Sequence, residues 1–113
     1  MFADQLDYVV GVDPHRDVHA LAVVHVLSGA VVLETTVAAG SDGYAEALKL
    51  AEVYASGRRA FAVEGTGSFG AGLTRFLTGR GERALEVGRS LGAVQQRTTR
   101  RTGSESAARG TLV

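Results

Sequence analysis

Leu6-Asp7-Tyr8-Val9-Val10-Gly11-Val12-Asp13 (LDYVVGVD) opens the run that decides the fold, continued by His19–Leu27 (HALAVVHVL) and Ala30–Val37 (AVVLETTV). The first stretch is rich in β-branched and aromatic residues and nearly continuously apolar, as expected of a central strand buried on both faces. The second and third are also strand-like. Ser28-Gly29 between them supplies a two-residue turn, so these two read as an antiparallel hairpin. The period changes only at Gly40-Ser41-Asp42-Gly43, where Ser41 or Asp42 offers an N-cap. Three strands therefore precede the first helix.

Outward from this run the pattern is helical, then strand-like, twice over. Tyr44, Ala47, Leu48, Ala51 and Tyr54 or Ala55 share one helix face, with Glu46, Lys49 and Glu52 elsewhere. Gly57 is expected to take the left-handed conformation that ends a helix. Ala60–Glu64 (AFAVE) reads as a short buried strand. Phe69, Leu73, Phe76 and Leu77 mark a second helix that stops at Gly79–Gly81. Gly70 and Gly72 weaken its first turns by about 1 kcal/mol each relative to alanine, so packing must hold it. Arg83–Val87 (RALEV) is the fifth strand. The order β-β-β-α-β-α-β predicts an α/β domain: a mixed five-stranded sheet of order 3-2-1-4-5 with helices on its faces. Residues 1–88 form this domain, and 89–113 are expected to be a basic, partly disordered or helical C-terminal segment.

Composition bounds what such a chain can do. The 113 residues, 45% hydrophobic and 21% charged, suit one globular domain and not a disordered tail. The absence of cysteine excludes disulfides, thiolate nucleophiles and cysteine-based zinc sites. The acidic start, Met1–Asp7, does not read as a signal peptide. Ala20–Leu27, the longest apolar stretch, is too short to span a membrane, so a cytoplasmic protein without membrane partners is expected. A formal net charge of zero conceals an asymmetry. Residues 1–57 hold eight acids against Arg16 and Lys49, while residues 58–113 hold ten arginines against Glu64, Glu82, Glu86 and Glu105. The second half suits polyanions.

Two carboxylates end strands that are expected to be parallel: Asp13 closes strand one and Glu64 closes strand four. Open α/β sheets bind ligands beyond the carboxyl ends of such strands. If the two strands are neighbours, the side chains converge across 51 positions of sequence. Paired oxygen donors suit Mg²⁺ or Mn²⁺ and phosphodiester chemistry. An acid at a strand end is more commonly a solvated surface group.

Gly11-Val12-Asp13-Pro14-His15-Arg16-Asp17-Val18-His19 resembles the G-[IV]-D-x-H-[KR]-x-x-H opening of the DEDD transposases of the Piv type, the bridge-RNA-guided insertion-sequence recombinases. Val63-Glu64-Gly65-Thr66-Gly67-Ser68-Phe69-Gly70 resembles their second signature, E-x-T-G-x-[YF]-x, and Gly40–Leu48 resembles the segment leading into their first helix. The likeness covers roughly residues 8–88. It implies an RNase H-like (RuvC-type) fold, with Asp13 and Glu64 as catalytic, metal-binding acids, the first two of four. It further implies a role in DNA transposition, with DNA and guide RNA as partners, in a homo-oligomer or together with a full-length transposase.

The pattern fails at its C-terminal part. The family's basic stretch is followed by a segment with two aspartates, whereas this chain reads Arg100-Arg101-Thr102-Gly103-Ser104-Glu105-Ser106-Ala107-Ala108-Arg109. No aspartate follows Asp42. The family's second domain, with its serine, is also without a counterpart. The expectation is a truncated, catalytically incompetent copy that binds Mg²⁺ or Mn²⁺ weakly through Asp13 and Glu64. Arg89, Arg97, Arg100 and Arg101 would neutralise phosphates, with no aromatic among them for base stacking. His15 and Arg16 would order the loop after Asp13 or touch nucleic acid.

A competing pattern lies at the same place. Gly65-Thr66-Gly67-Ser68-Phe69-Gly70 satisfies G-x-G-x-x-G, and Glu86 follows Gly65 by 21 positions, which suits a dinucleotide-binding module for NAD or FAD. Glu64 immediately before the first glycine would oppose a pyrophosphate, and a dinucleotide fold begins with alternating β and α. His15 and His19 do not make a zinc pair on a loop-to-strand segment. His25 is expected to be a satisfied sheet histidine, and Asp17 an exposed turn acid.

Overall fold

The structure, a computed structural model, describes residues 5–65 and 69–88. Its elements are β1 (Tyr8–Pro14), β2 (Val18–His25), β3 (Val31–Ala38), α1 (Ser41–Tyr54), β4 (Arg59–Glu64), α2 (Ala71–Gly79) and β5 (Ala84–Val87). The five strands form one sheet of order β3-β2-β1-β4-β5. β1 pairs antiparallel with β2, and β2 with β3. β4 is parallel to β1 and to β5. The element order and sheet order are those read from the sequence. The basic segment from Arg89 to Arg101, and the two motif residues Thr66 and Gly67 with Ser68, lie outside the described residues.

Alternation along the strands divides the sheet into two faces. Val10 and Val12 of β1, Leu21 and Val23 of β2, Val37 of β3, and Phe61 and Val63 of β4 point one way. Ala47, Ala51 and Ala55 from α1 and Leu73 and Leu77 from α2 join them in a single core. Both helices thus lie on the same face. The reason is the route of the chain: β3 to β4 and β4 to β5 advance across the sheet in one direction, and right-handed crossovers then put both helices on one side. Burying Phe61, Leu73 and Leu77 completely contributes roughly 1.5–3 kcal/mol each. The opposite face is built from small residues, Gly11, Ala20, Ala22 and Ala62 among them, and carries Asp13 and Glu64.

The helix ends differ from expectation in two places. The N-cap of α1 is Gly40, not Ser41 or Asp42, and no side chain caps the helix. Gly40 makes the corner out of β3 at φ 140°, a conformation that a side chain would disfavour. Gly43 then presses on the end of β3 so closely that a Cβ would overlap the Ala38 carbonyl. Gly57 is not left-handed; α1 ends earlier, at Ala55, whose N–H reaches the Ala51 carbonyl. The missing side chain at Gly57 instead makes room for the Asp7 carboxylate, which accepts the Arg58 N–H at 2.9 Å. In the second helical stretch, Phe69 stands before α2 and is exposed, while Leu73 and Leu77 are buried. Gly70 and Gly72 are tolerated because close packing uses them. A Cβ on Gly70 would lie 2.7 Å from a Val63 methyl, and one on Gly72 would lie 2.7 Å from the Tyr44 hydroxyl.

Candidate functional site

β1 and β4 run in parallel register with Val12 opposite Val63. One step further, Asp13 and Glu64 leave the sheet side by side, on the face away from the helices. Adjacent strands are about 4.8 Å apart, so the two carboxylates start from neighbouring backbones. The register makes the two residues neighbours at the strand ends, as expected of adjacent parallel strands. Asp13 is exposed and Glu64 half-buried.

The loop after Asp13 is tied down by its own backbone. His15 N–H donates to the Val18 carbonyl at 2.9 Å, and Ala39 N–H donates to the Asp17 carbonyl at 2.9 Å, fixing the loop to the β3–α1 corner. His15 Nε2 lies 3.2 Å from Asp13 Oδ2, so the ring orients the carboxylate it follows. Both groups are more than half exposed, so the contact orders the site more than it stabilises the fold. Arg16 and Asp17 are exposed on the same turn. α1 and α2 both begin at this end of the sheet.

His19 belongs to the other face. It is fully buried, lies opposite Pro14, and stacks on Tyr44 with ring centroids 5.9 Å apart and planes 14° from parallel. Neither ring nitrogen has a hydrogen-bond partner. Its burial puts His19 out of reach of any surface ligand. His15 and His19 point to different environments, so they do not form a metal pair. His25, at the end of β2, contacts Ser28 Oγ at 2.8 Å through Nδ1, as a satisfied histidine should.

Two oxygen donors fit a hard divalent cation in chemistry, and the exposed Asp13 leaves a way in. They do not complete a coordination shell. Among the described residues no group of three or more His, Asp or Glu side chains is placed to hold a metal ion. As donor types, two carboxylates match Mg²⁺ or Mn²⁺.

Arg58, Arg59, Arg80 and Arg83 gather at the opposite end of the sheet, where β4 and β5 begin, a clustering that follows from the strand starts and the helix end beside which the sequence puts them.

No protein-family profile matches the chain, and no curated protein does. Among solved structures it is similar to RuvC of T. thermophilus in complex with a Holliday junction substrate, at TM-score 0.56 and 18% identity. The match covers 74% of this chain and 65% of that one, so this chain spans less than two thirds of the RuvC chain's length. No helix among the described residues is long and apolar enough to cross a membrane. Sheet order, strand directions and this likeness together make the fold RNase H-like.

Proposed function

We propose that this chain is an RNase H-like nucleic-acid-binding domain of the DEDD transposase type, acting in DNA transposition, with Asp13 and Glu64 as its acidic site. The observation that carries the reading is the Val12–Val63 register, which brings two carboxylates, each beside its family-like motif, to the same strand ends. Asp13 and Glu64 would hold Mg²⁺ or Mn²⁺, which when bound would polarise a phosphodiester oxygen. His15 would orient Asp13. Arg16, on the exposed turn, and Arg89, Arg97, Arg100 and Arg101, in the basic segment, would contact DNA or guide RNA phosphates. No aspartate follows Asp42, so the third and fourth acids of the family pattern have no counterparts in this sequence. We therefore expect binding without turnover by this chain alone. Any catalysis would need acids from a partner, a full-length transposase or another copy.

The dinucleotide reading of Gly65–Gly70 is the weaker one. Three antiparallel-linked strands precede the unit, and Gly70 is used to seat α2 on Val63 and Pro14. The deciding experiment is oligonucleotide binding with and without Mg²⁺, joined to a nicking assay. Binding strengthened by Mg²⁺ in the wild type but not in Asp13→Asn supports the proposal. Mg²⁺-independent binding, or nicking unchanged in Asp13→Ala, counts against it, and amide shifts at Gly65 and Gly70 on adding NAD or FAD would favour the alternative.

A further inference from the structure

β3 is an outer strand of the sheet, and among the described residues no strand lies beyond it. β2 takes up one row of its backbone N–H and C=O groups, and the other row points outward. The two outer strands differ. β5 is four residues long, a short edge that offers little to pair with. β3 has eight residues, Val31–Ala38, and holds no lysine, arginine, proline or glycine. Its one charge, Glu34, lies opposite Ala22 and so on the face away from the helices. The irregularity in the β2–β3 ladder falls at Val23/Val24, toward the hairpin, and Leu33 to Ala38 keep an unbroken register. Val31 and Val32, 45% and 42% exposed, add apolar surface beside that stretch. The devices that usually guard a sheet edge are missing from it.

The side chains of this strand are complementary to a second copy of themselves. When two copies are laid antiparallel about a two-fold axis through Thr35, Leu33 meets Val37 of the second copy on the helix-covered face. On the uncovered face Glu34 meets Thr36, and Val32 meets Ala38. Apolar groups then face apolar groups, and each carboxylate faces a hydroxyl that donates to it. Moving the axis one residue to Glu34 sets two carboxylates directly opposite each other, which is destabilising. Moving it to Thr36 puts Glu34 against Ala38 and shortens the ladder. The Thr35 axis is the favoured one.

We propose that β3 is the interface of a homodimer, formed by edge-to-edge pairing of Leu33–Val37 about Thr35. The two five-stranded sheets become one, with both helix layers on the same side. An unrelated extended peptide satisfies the outward backbone row equally well, but the match of Leu33 with Val37 and of Glu34 with Thr36 favours a copy of the same strand. The contact is short, so the dimer is weak and depends on concentration. β2 separates β3 from β1, so the inference does not rest on the acidic pair.

Sedimentation velocity of the full chain over a range of concentrations tests it. The wild type should pass from monomer to dimer as concentration rises. Thr36→Lys places an ammonium opposite Glu34 twice per dimer and should tighten association about fivefold, whereas Thr36→Glu should weaken it by about the same factor. Position 36 is exposed, so neither change disturbs the core. Glu34→Lys combined with Thr36→Glu should restore association. The chain has no cysteine, so a single introduced one cross-links only between copies. Thr35→Cys should oxidise to a dimer much faster than Glu34→Cys or Thr36→Cys, because only a residue on the axis meets its twin within disulfide reach. A wild type that stays monomeric, equal effects of Thr36→Lys and Thr36→Glu, or faster cross-linking at position 34 or 36 would overturn the proposal. Should Thr35→Cys fail to fold, the charge variants decide.

Discussion

Val12 faces Val63 across the parallel β1–β4 ladder, and each is followed by an acid. That single register relation turns two residues 51 positions apart in sequence into neighbours at the strand ends. Because both valines are buried beneath the helices, their successors must point to the uncovered face. A slip of one residue in either strand would bury a carboxylate and expose a valine, which fixes the register energetically.

Gly43 is the tightest point of the α1–β3 contact. Gly43→Ala should destabilise the fold by about 3 kcal/mol, since the methyl meets backbone and not a yielding side chain. Chemical denaturation would measure it. A helix-propensity gain, in which the variant is more stable, would show that α1 does not seat on Ala38.

His19 carries two buried nitrogens without partners. Replacing it with Phe keeps a ring for Tyr44 to stack on and removes both polar atoms, so His19→Phe should be neutral or stabilising by about 1 kcal/mol. His19→Ala should instead cost about 3 kcal/mol through the cavity it leaves. Thermal unfolding of the two variants separates these cases. A large loss in the Phe variant would mean that the imidazole nitrogens are satisfied in solution.

Arg59 and Glu82 are each only 15% exposed, so their pairing is not a solvent-screened surface contact. Glu82→Ala should cost about 3 kcal/mol, because it strands a largely buried guanidinium. Arg59→Met combined with Glu82→Leu should recover most of that loss. If the double variant is as unstable as the single one, the pair contributes through more than its charges.

Much of this was legible in the sequence, for physical reasons that can be named. The hairpin around Ser28-Gly29 is real, with Gly29 at φ 75°, but its loop is the five residues 26–30 and not a two-residue turn, because β2 stops at His25 and β3 starts at Val31. With it, the apolar pattern of Leu6–Asp13, which needs neighbours on both sides, gives the central strand. The place of Asp13 and Glu64 at the ends of β1 and β4 was legible because strand ends are local features. What could not be read are relations set by distant packing. Gly57 resembles a helix terminator, but α1 ends before it, and the Asp7 carboxylate, fifty positions earlier, occupies the space where its side chain would be. His19 sits in a motif with His15, yet alternation alone does not say that Tyr44 will close over it.

Under the proposed function, the carboxylates of Asp13 and Glu64 together hold a divalent cation. Titration of the full chain with Mn²⁺, read as paramagnetic broadening of assigned amide signals, puts this to the test. Broadening should appear first at Val12–His15 and Val63–Gly65, and Asp13→Asn should abolish it at both segments at once. Broadening that starts at Glu46 and Glu52 on α1, or that survives at Val63–Gly65 in Asp13→Asn, would rule out a shared Asp13–Glu64 site.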